Sequence, residues 1–158
     1  MPRFTRTVEV AAPVDRVWAA LVDWPRHGAW VPLTTVRTLT PSPAGVGARF
    51  VGRTALGPLG FDDVMKVVVW QPPDGARPGF CEVAKVGRLL QGMASFEVVA
   101  SEQTDGGARS RVSWTEDVRV APEWLTRPFG SLIALISGLG LRRVLAAMAA
   151  DVERDQHG

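Results

Sequence analysis

Tyrosine is absent from this 158-residue chain, cysteine occurs once and histidine twice. The lone Cys81 excludes an internal disulfide, so a reducing compartment, the cytoplasm, is the expectation. No two His or Cys residues stand at metal-ligand spacing, so zinc and iron are not expected. There is no Gly-x-Ser-x-Gly elbow and no Walker or dinucleotide loop, and no cofactor is expected. Gly57-Pro58-Leu59-Gly60 reads as a hairpin turn: its proline and the lack of a following helix argue against phosphate binding. No basic-then-apolar leader follows Met1, so export is not expected. The longest uncharged stretch near the C-terminus, 128–141, is 14 residues long, short of the roughly 20 that span a bilayer. The net charge is only +2 and the cations are scattered; of 18, all but Lys66 and Lys85 are arginines. No basic cluster is interleaved with aromatics, which argues against nucleic acid.

What is present is an order of parts. Phe4 to Val10 reads as a strand. In Pro13 to Val22 the apolar residues Val14, Val17, Trp18, Leu21 and Val22 recur at helical spacing. Pro13 suits the first helical position and Asp15 the positive end of the helix dipole. Asp23-Trp24-Pro25 ends this helix, and Pro25 to Trp30 can form a second short helical turn. From Val36 to Val120 strand follows strand, with alternation over Ala48–Leu56, Phe61–Trp70, Gly79–Val86, Gly92–Ala100 and Arg109–Val120. Short Gly- and Pro-rich turns join them, which implies an antiparallel meander. Trp124 to Asp155 reads as one long helix. Its second half carries the stripe Leu141, Val144, Leu145, Met148 and Val152, whereas Phe129 to Leu141 is apolar nearly all round. A single helix can cover a whole sheet only if the sheet curls around it, and that leaves a cavity. The expectation is one α+β domain over 1–158, with a curved antiparallel sheet of about seven strands.

These patterns resemble the helix-grip superfamily of START lipid-transfer domains, the birch-pollen allergen fold and polyketide cyclase/dehydrase-like proteins (SRPBCC). The resemblance rests on the element order and on Ala12-Pro13-Val14-Asp15-Arg16-Val17-Trp18, Asp23-Trp24-Pro25, Trp30-Val31-Pro32, Gly47-Ala48-Arg49-Phe50, Trp70-Gln71-Pro72-Pro73, Gly92 and Val112-Ser113-Trp114. It covers almost the whole chain. It implies an apolar small molecule held between the long helix and the sheet, but does not fix the activity, since members include carriers and enzymes.

Strand parity gives an expected lining. Val112, Trp114, Glu116, Val118 and Val120 share one face of the last strand, opposite Arg111, Ser113, Thr115, Asp117 and Arg119. Asp63, Met65, Val67 and Val69 share a face, as do Phe50, Gly52 and Thr54, and as do Gly92, Ala94, Phe96 and Val98. Over Gly79–Val86 the two faces, Phe80/Glu82/Ala84 and Cys81/Val83/Lys85, cannot be told apart. Expected ligand contacts are Trp30, Phe50, Thr54, Met65, Val67, Phe96, Val112, Trp114, Leu132 and Ile136. Glu116 and Asp63 are the candidate acid–base groups, each with a purely structural alternative in an ion pair or turn. Cys81 reads as a small buried side chain, and His27, beside Gly28, as a surface-turn residue unsuited to be a base. Three functions stay open. The first is binding of a lipid, quinone or polyketide-like molecule. The second is cyclase or dehydratase catalysis by Glu116 and Asp63. The third is a regulatory module that uses 129–141 for a homodimer, membrane-surface or lid contact.

Overall fold

The computed structural model describes residues 3–102, 107–120, 122, 124, 128 and 130–157, the side chains of 130–138 and 157 apart. Strand β1 (Arg3–Val10) leads into helix α1 (Val14–Leu21) and a 3₁₀ turn (Trp24–Ala29). Six strands follow: β2 (Thr34–Thr38), β3 (Arg49–Leu56), β4 (Leu59–Gln71), β5 (Gly79–Val86), β6 (Leu90–Ala100) and β7 (Ser110–Val120). Helix α2 (Gly130–His157) closes the chain. The sheet has seven strands in the order β1-β7-β6-β5-β4-β3-β2, and every pairing is antiparallel. The meander is therefore β2 to β7, with β1 returning to the free edge of β7. The expected first turns of the last helix, from Trp124, fall largely outside the described residues.

Helix α1 buries the predicted stripe, with Val17, Trp18 and Leu21 inside and Val14 and Val22 packed at its margin. The Trp18 ring meets Trp70 and Phe96 edge-on, at centroid distances of 5.4 and 5.7 Å. Gly79 is what lets it in: a β-carbon there would stand 2.7 Å from Trp18 Cε3 and 2.9 Å from Pro73 Cδ. Around this wedge Val10, Val98, Val112, Met148 and Val152 are all buried. Ser110, the one buried polar residue among the described residues, donates its hydroxyl to the Ala12 carbonyl at 2.7 Å, as a buried hydroxyl must.

Parity fails in one strand. The β4–β5 register slips between Val67 and Val69, so Val67 faces Val83 but Trp70 faces Cys81. The extra residue of a β-bulge reverses which side chains point inward. Val69 therefore leaves the face of Asp63 and Met65, and Trp70 takes its place against Trp18. In β5 the inward face is Gly79, Cys81, Val83 and Lys85; Cys81 and Val83 are buried, and burial raises the Cys81 thiol pKa to about 12.

Candidate functional site in the hollow end

Between α2 and the concave sheet lies a cavity of about 370 Å³. Strands β3 to β7 supply Phe50, Gly52, Thr54, Phe61, Met65, Val83, Leu90, Ala94, Phe96 and Trp114; α2 supplies Gly140, Leu141 and Val144. The wall is mostly carbon, with three polar features set into it. At β2 and β3, Thr34 donates to the Pro32 carbonyl (3.0 Å), so Thr54 must be the donor in its 2.8 Å bond to Thr34.

The second feature is an ion pair. Asp63 on β4 and Lys85 on β5 both line the cavity, with side chains only 13% and 9% exposed. Lys85 Nζ donates to Asp63 Oδ2 at 2.5 Å and lies 3.7 Å from Met65 Sδ. Asp63 Oδ1 is buried and has no hydrogen-bond partner among the described residues.

The third feature surrounds Trp114. Its indole N–H donates to Glu116 Oε1 at 3.3 Å, and both side chains line the cavity. His27 lines it too, which corrects the surface-turn reading. In a 3₁₀ helix every third residue lies on one edge, so the turn aligns Trp24, His27 and Trp30. The imidazole packs against Trp24, Trp30 and Trp114, with ring centroids 5.6, 4.8 and 5.9 Å away. Its Nε2–H donates to the Leu21 carbonyl at 2.7 Å, leaving Nδ1 as the lone-pair nitrogen of the neutral ring. Burial pushes its pKa down to about 4, the Leu21 bond opposing it only in part, so the ring is neutral at pH 7.

The other expected contacts divide. Phe50, Thr54, Met65, Phe96 and Trp114 reach the cavity; Trp30, Val67 and Val112 do not. Val67 and Val112 are fully buried because other core side chains fill the space above them. Trp30 is buried against His27 and spends its N–H on Asp151 Oδ2 at 2.9 Å. Arg26 grips the same carboxylate at 2.8 Å and Asp155 at 2.6 Å, tying the 3₁₀ turn to α2. The Arg26 bond, helped by Trp30, holds Asp151 below the usual carboxylate pKa. Leu132 and Ile136 lie outside the described side chains. Of the apolar segment 129–141, Leu139 is 51% exposed and Leu141 is buried.

Sequence reasoning missed His27 and Lys85. The three-residue spacing of Trp24, His27 and Trp30 was the available signal for the first. For the second it was the rarity of lysine, two among 18 cations, in a strand otherwise apolar on one face. It also passed over Arg6, which stands opposite Trp114 on β1 with its Nε buried and unpartnered among the described residues. Among those residues no cluster of His, Cys, Asp and Glu could hold a metal ion, and no helix is long and apolar enough to cross a membrane.

A family model described as "Polyketide cyclase / dehydrase and lipid transport" matches residues 1–153. No curated protein matches the chain. Solved structures share its fold from end to end. A protein from Thermobifida fusca, determined by NMR, is 23% identical, with 98% of this chain and 95% of that one covered at a TM-score of 0.60. The Zhui aromatase/cyclase from Streptomyces sp. R1128 is 19% identical, with 96% and 93% covered and a TM-score of 0.62. A START superfamily protein from Mycobacterium smegmatis is 14% identical, with 96% and 97% covered and a TM-score of 0.63. At these identities the likeness is one of fold.

Proposed function

Because the chain belongs to the polyketide cyclase / dehydrase and lipid transport family, we propose that its cavity binds an apolar small molecule of lipid, quinone or polyketide type. The observation that carries this reading is the cavity itself: about 370 Å³ walled mainly by Phe50, Phe61, Met65, Phe96, Leu141 and Val144. An apolar body entering it would shed water at roughly 25 cal/mol per Å² of surface, while a few fixed polar groups orient it. Native mass spectrometry of freshly purified protein, followed by solvent extraction, tests the reading. A stoichiometric apolar adduct is the expected result. A bare protein mass, together with no uptake of added naphthalene, would sink it.

A second reading, proton transfer during cyclisation or dehydration, is favoured by the setting of Glu116. Its carboxylate lines the cavity and is oriented by Trp114, and the neutral His27 packs against the same indole. Asp63 is the weaker acid–base candidate, because its Oδ2 is committed to Lys85. On this reading Glu116→Gln abolishes turnover of a bound polyketide and leaves its affinity nearly intact. Full activity in that variant would remove the enzyme reading's main residue.

A further inference from the structure

A buried ion pair stabilises a fold only when its remaining donors and acceptors are also satisfied. The Asp63–Lys85 pair fails that condition in a specific way. Asp63 uses Oδ2 on Lys85 and leaves Oδ1 with no partner among the described residues. Lys85 has three N–H donors; one goes to Asp63, and the other described contact is with the thioether of Met65, a weak acceptor. Both residues belong to the wall of an otherwise apolar cavity. The described residues therefore leave one acceptor and at least one good donor unspent in the same ion pair. Two buried polar groups short of partners are costly unless a third group completes them.

We propose that the Asp63–Lys85 pair is the polar anchor of the cavity, and that it selects an apolar ligand ending in an alcohol or phenol hydroxyl. The inference rests on the cavity being a binding site for apolar molecules, and it adds the chemistry of the ligand's head. A hydroxyl is the neutral group that donates and accepts through one atom. It gives its proton to Asp63 and receives an N–H from Lys85, so it bonds to both members of the pair without new charge. A carboxylate would place a second anion beside Asp63 and can only compete with it for Lys85. An ammonium would face Lys85 at close range. Either would bury a net charge, which a low-dielectric site opposes. A plain hydrocarbon bonds to neither. Asp63 Oδ1 is shielded in the structure, so the hydroxyl meets the pair at Oδ2, whose second lone pair can accept its proton beside Lys85 Nζ.

The test is a set of probes with one apolar body and different heads: naphthalene, 2-naphthol, 2-naphthoate and 2-naphthylmethylamine, measured by equilibrium dialysis at pH 7. The expected result is that 2-naphthol binds about tenfold or more tightly than naphthalene, as a hydrogen bond to a charged partner allows, and that neither charged probe exceeds naphthalene. In the double variant Asp63→Leu/Lys85→Met the hydroxyl preference, read as the ratio of 2-naphthol to naphthalene affinity, should shrink to about twofold or less. Equal binding of naphthol and naphthalene by the unmodified protein overturns the proposal, as does tighter binding of either charged probe. An unchanged hydroxyl preference in the double variant overturns it as well. Should that variant fail to fold, the probe series on the unmodified protein still decides. If naphthalene itself does not bind, the reading of the cavity falls and this inference falls with it; if naphthalene binds without a hydroxyl preference, only this inference falls.

Discussion

Where β6 presents Val98 and β7 presents Val112, helix α2 fills the concave face with Leu145, Met148 and Val152, all buried. Nearer the start of the same helix, Gly140, Leu141 and Val144 face a cavity, and the strands opposite carry Gly52, Ala94 and Glu116. One end of the grip is solid and the other hollow, although the same helix and strands run through both. The difference lies in side-chain volume. The solid end sets large side chains against a single glycine, with Trp18 seated over Gly79. The hollow end keeps small residues, Gly52, Ala94 and Gly140, among its large ones, and its polar groups line the room that is left. Stability and binding should therefore respond separately to substitutions at the two ends.

The largest effect should come from the solid end. Met148→Ala removes a fully buried side chain and should cost about 2–5 kcal/mol, read by urea unfolding. Naphthalene affinity should stay within about twofold of the unmodified protein; a parallel loss of affinity would show that the two ends are not separable. The next effect belongs to His27 and to pH. Its folded pKa of about 4 lies below the ordinary 6.5, so folding favours the neutral ring. The stability it contributes is complete above pH 6.5 and is lost as pH falls from there to 4, by up to about 3 kcal/mol. His27→Gln should flatten that slope between pH 6.5 and 4; an unchanged slope would place the titration elsewhere.

The smallest effects form the sharpest contrast, because the same chemical change should act in opposite directions. Gly79→Ala puts a β-carbon 2.7 Å from Trp18 and should destabilise by about 1–3 kcal/mol. A β-carbon at Gly140 meets nothing within 4 Å, so Gly140→Ala should stabilise by about 0.5–1 kcal/mol through helix propensity. Thermal melts of both variants would check the pair. Shifts of the same sign would break the comparison.

Much of this arrangement is legible in the sequence, for definite reasons. Alternation in β7 puts Trp114 and Glu116 on the inner face, and the helical stripe of α1 puts Trp18 in the core, because both follow from local periodicity. The reach of a residue along its strand is not local. Val67 and Val112 have the right parity for the wall but sit where the concavity is already full. Trp30 lies on the right turn, yet its N–H is taken by Asp151, more than a hundred residues on. The partner of Asp63 stays open in the sequence because β5 carries one charged side chain on each face, Glu82 and Lys85, and only pairing with β4 and β6 decides between them.

The slip in β4 has a consequence for the length of the chain rather than for its composition. On one side of the bulge Asp63 must face Lys85; on the other Trp70 must face Trp18. With strict alternation only one of these could hold, since Asp63 and Trp70 are an odd number of positions apart. A single extra residue between Val67 and Val69 reconciles them. Deleting it would turn one half of the strand inside out, sending either the anion or the indole to the convex surface. Substitutions elsewhere in β4 trade one side chain for another; at this position the tally of residues is itself the information.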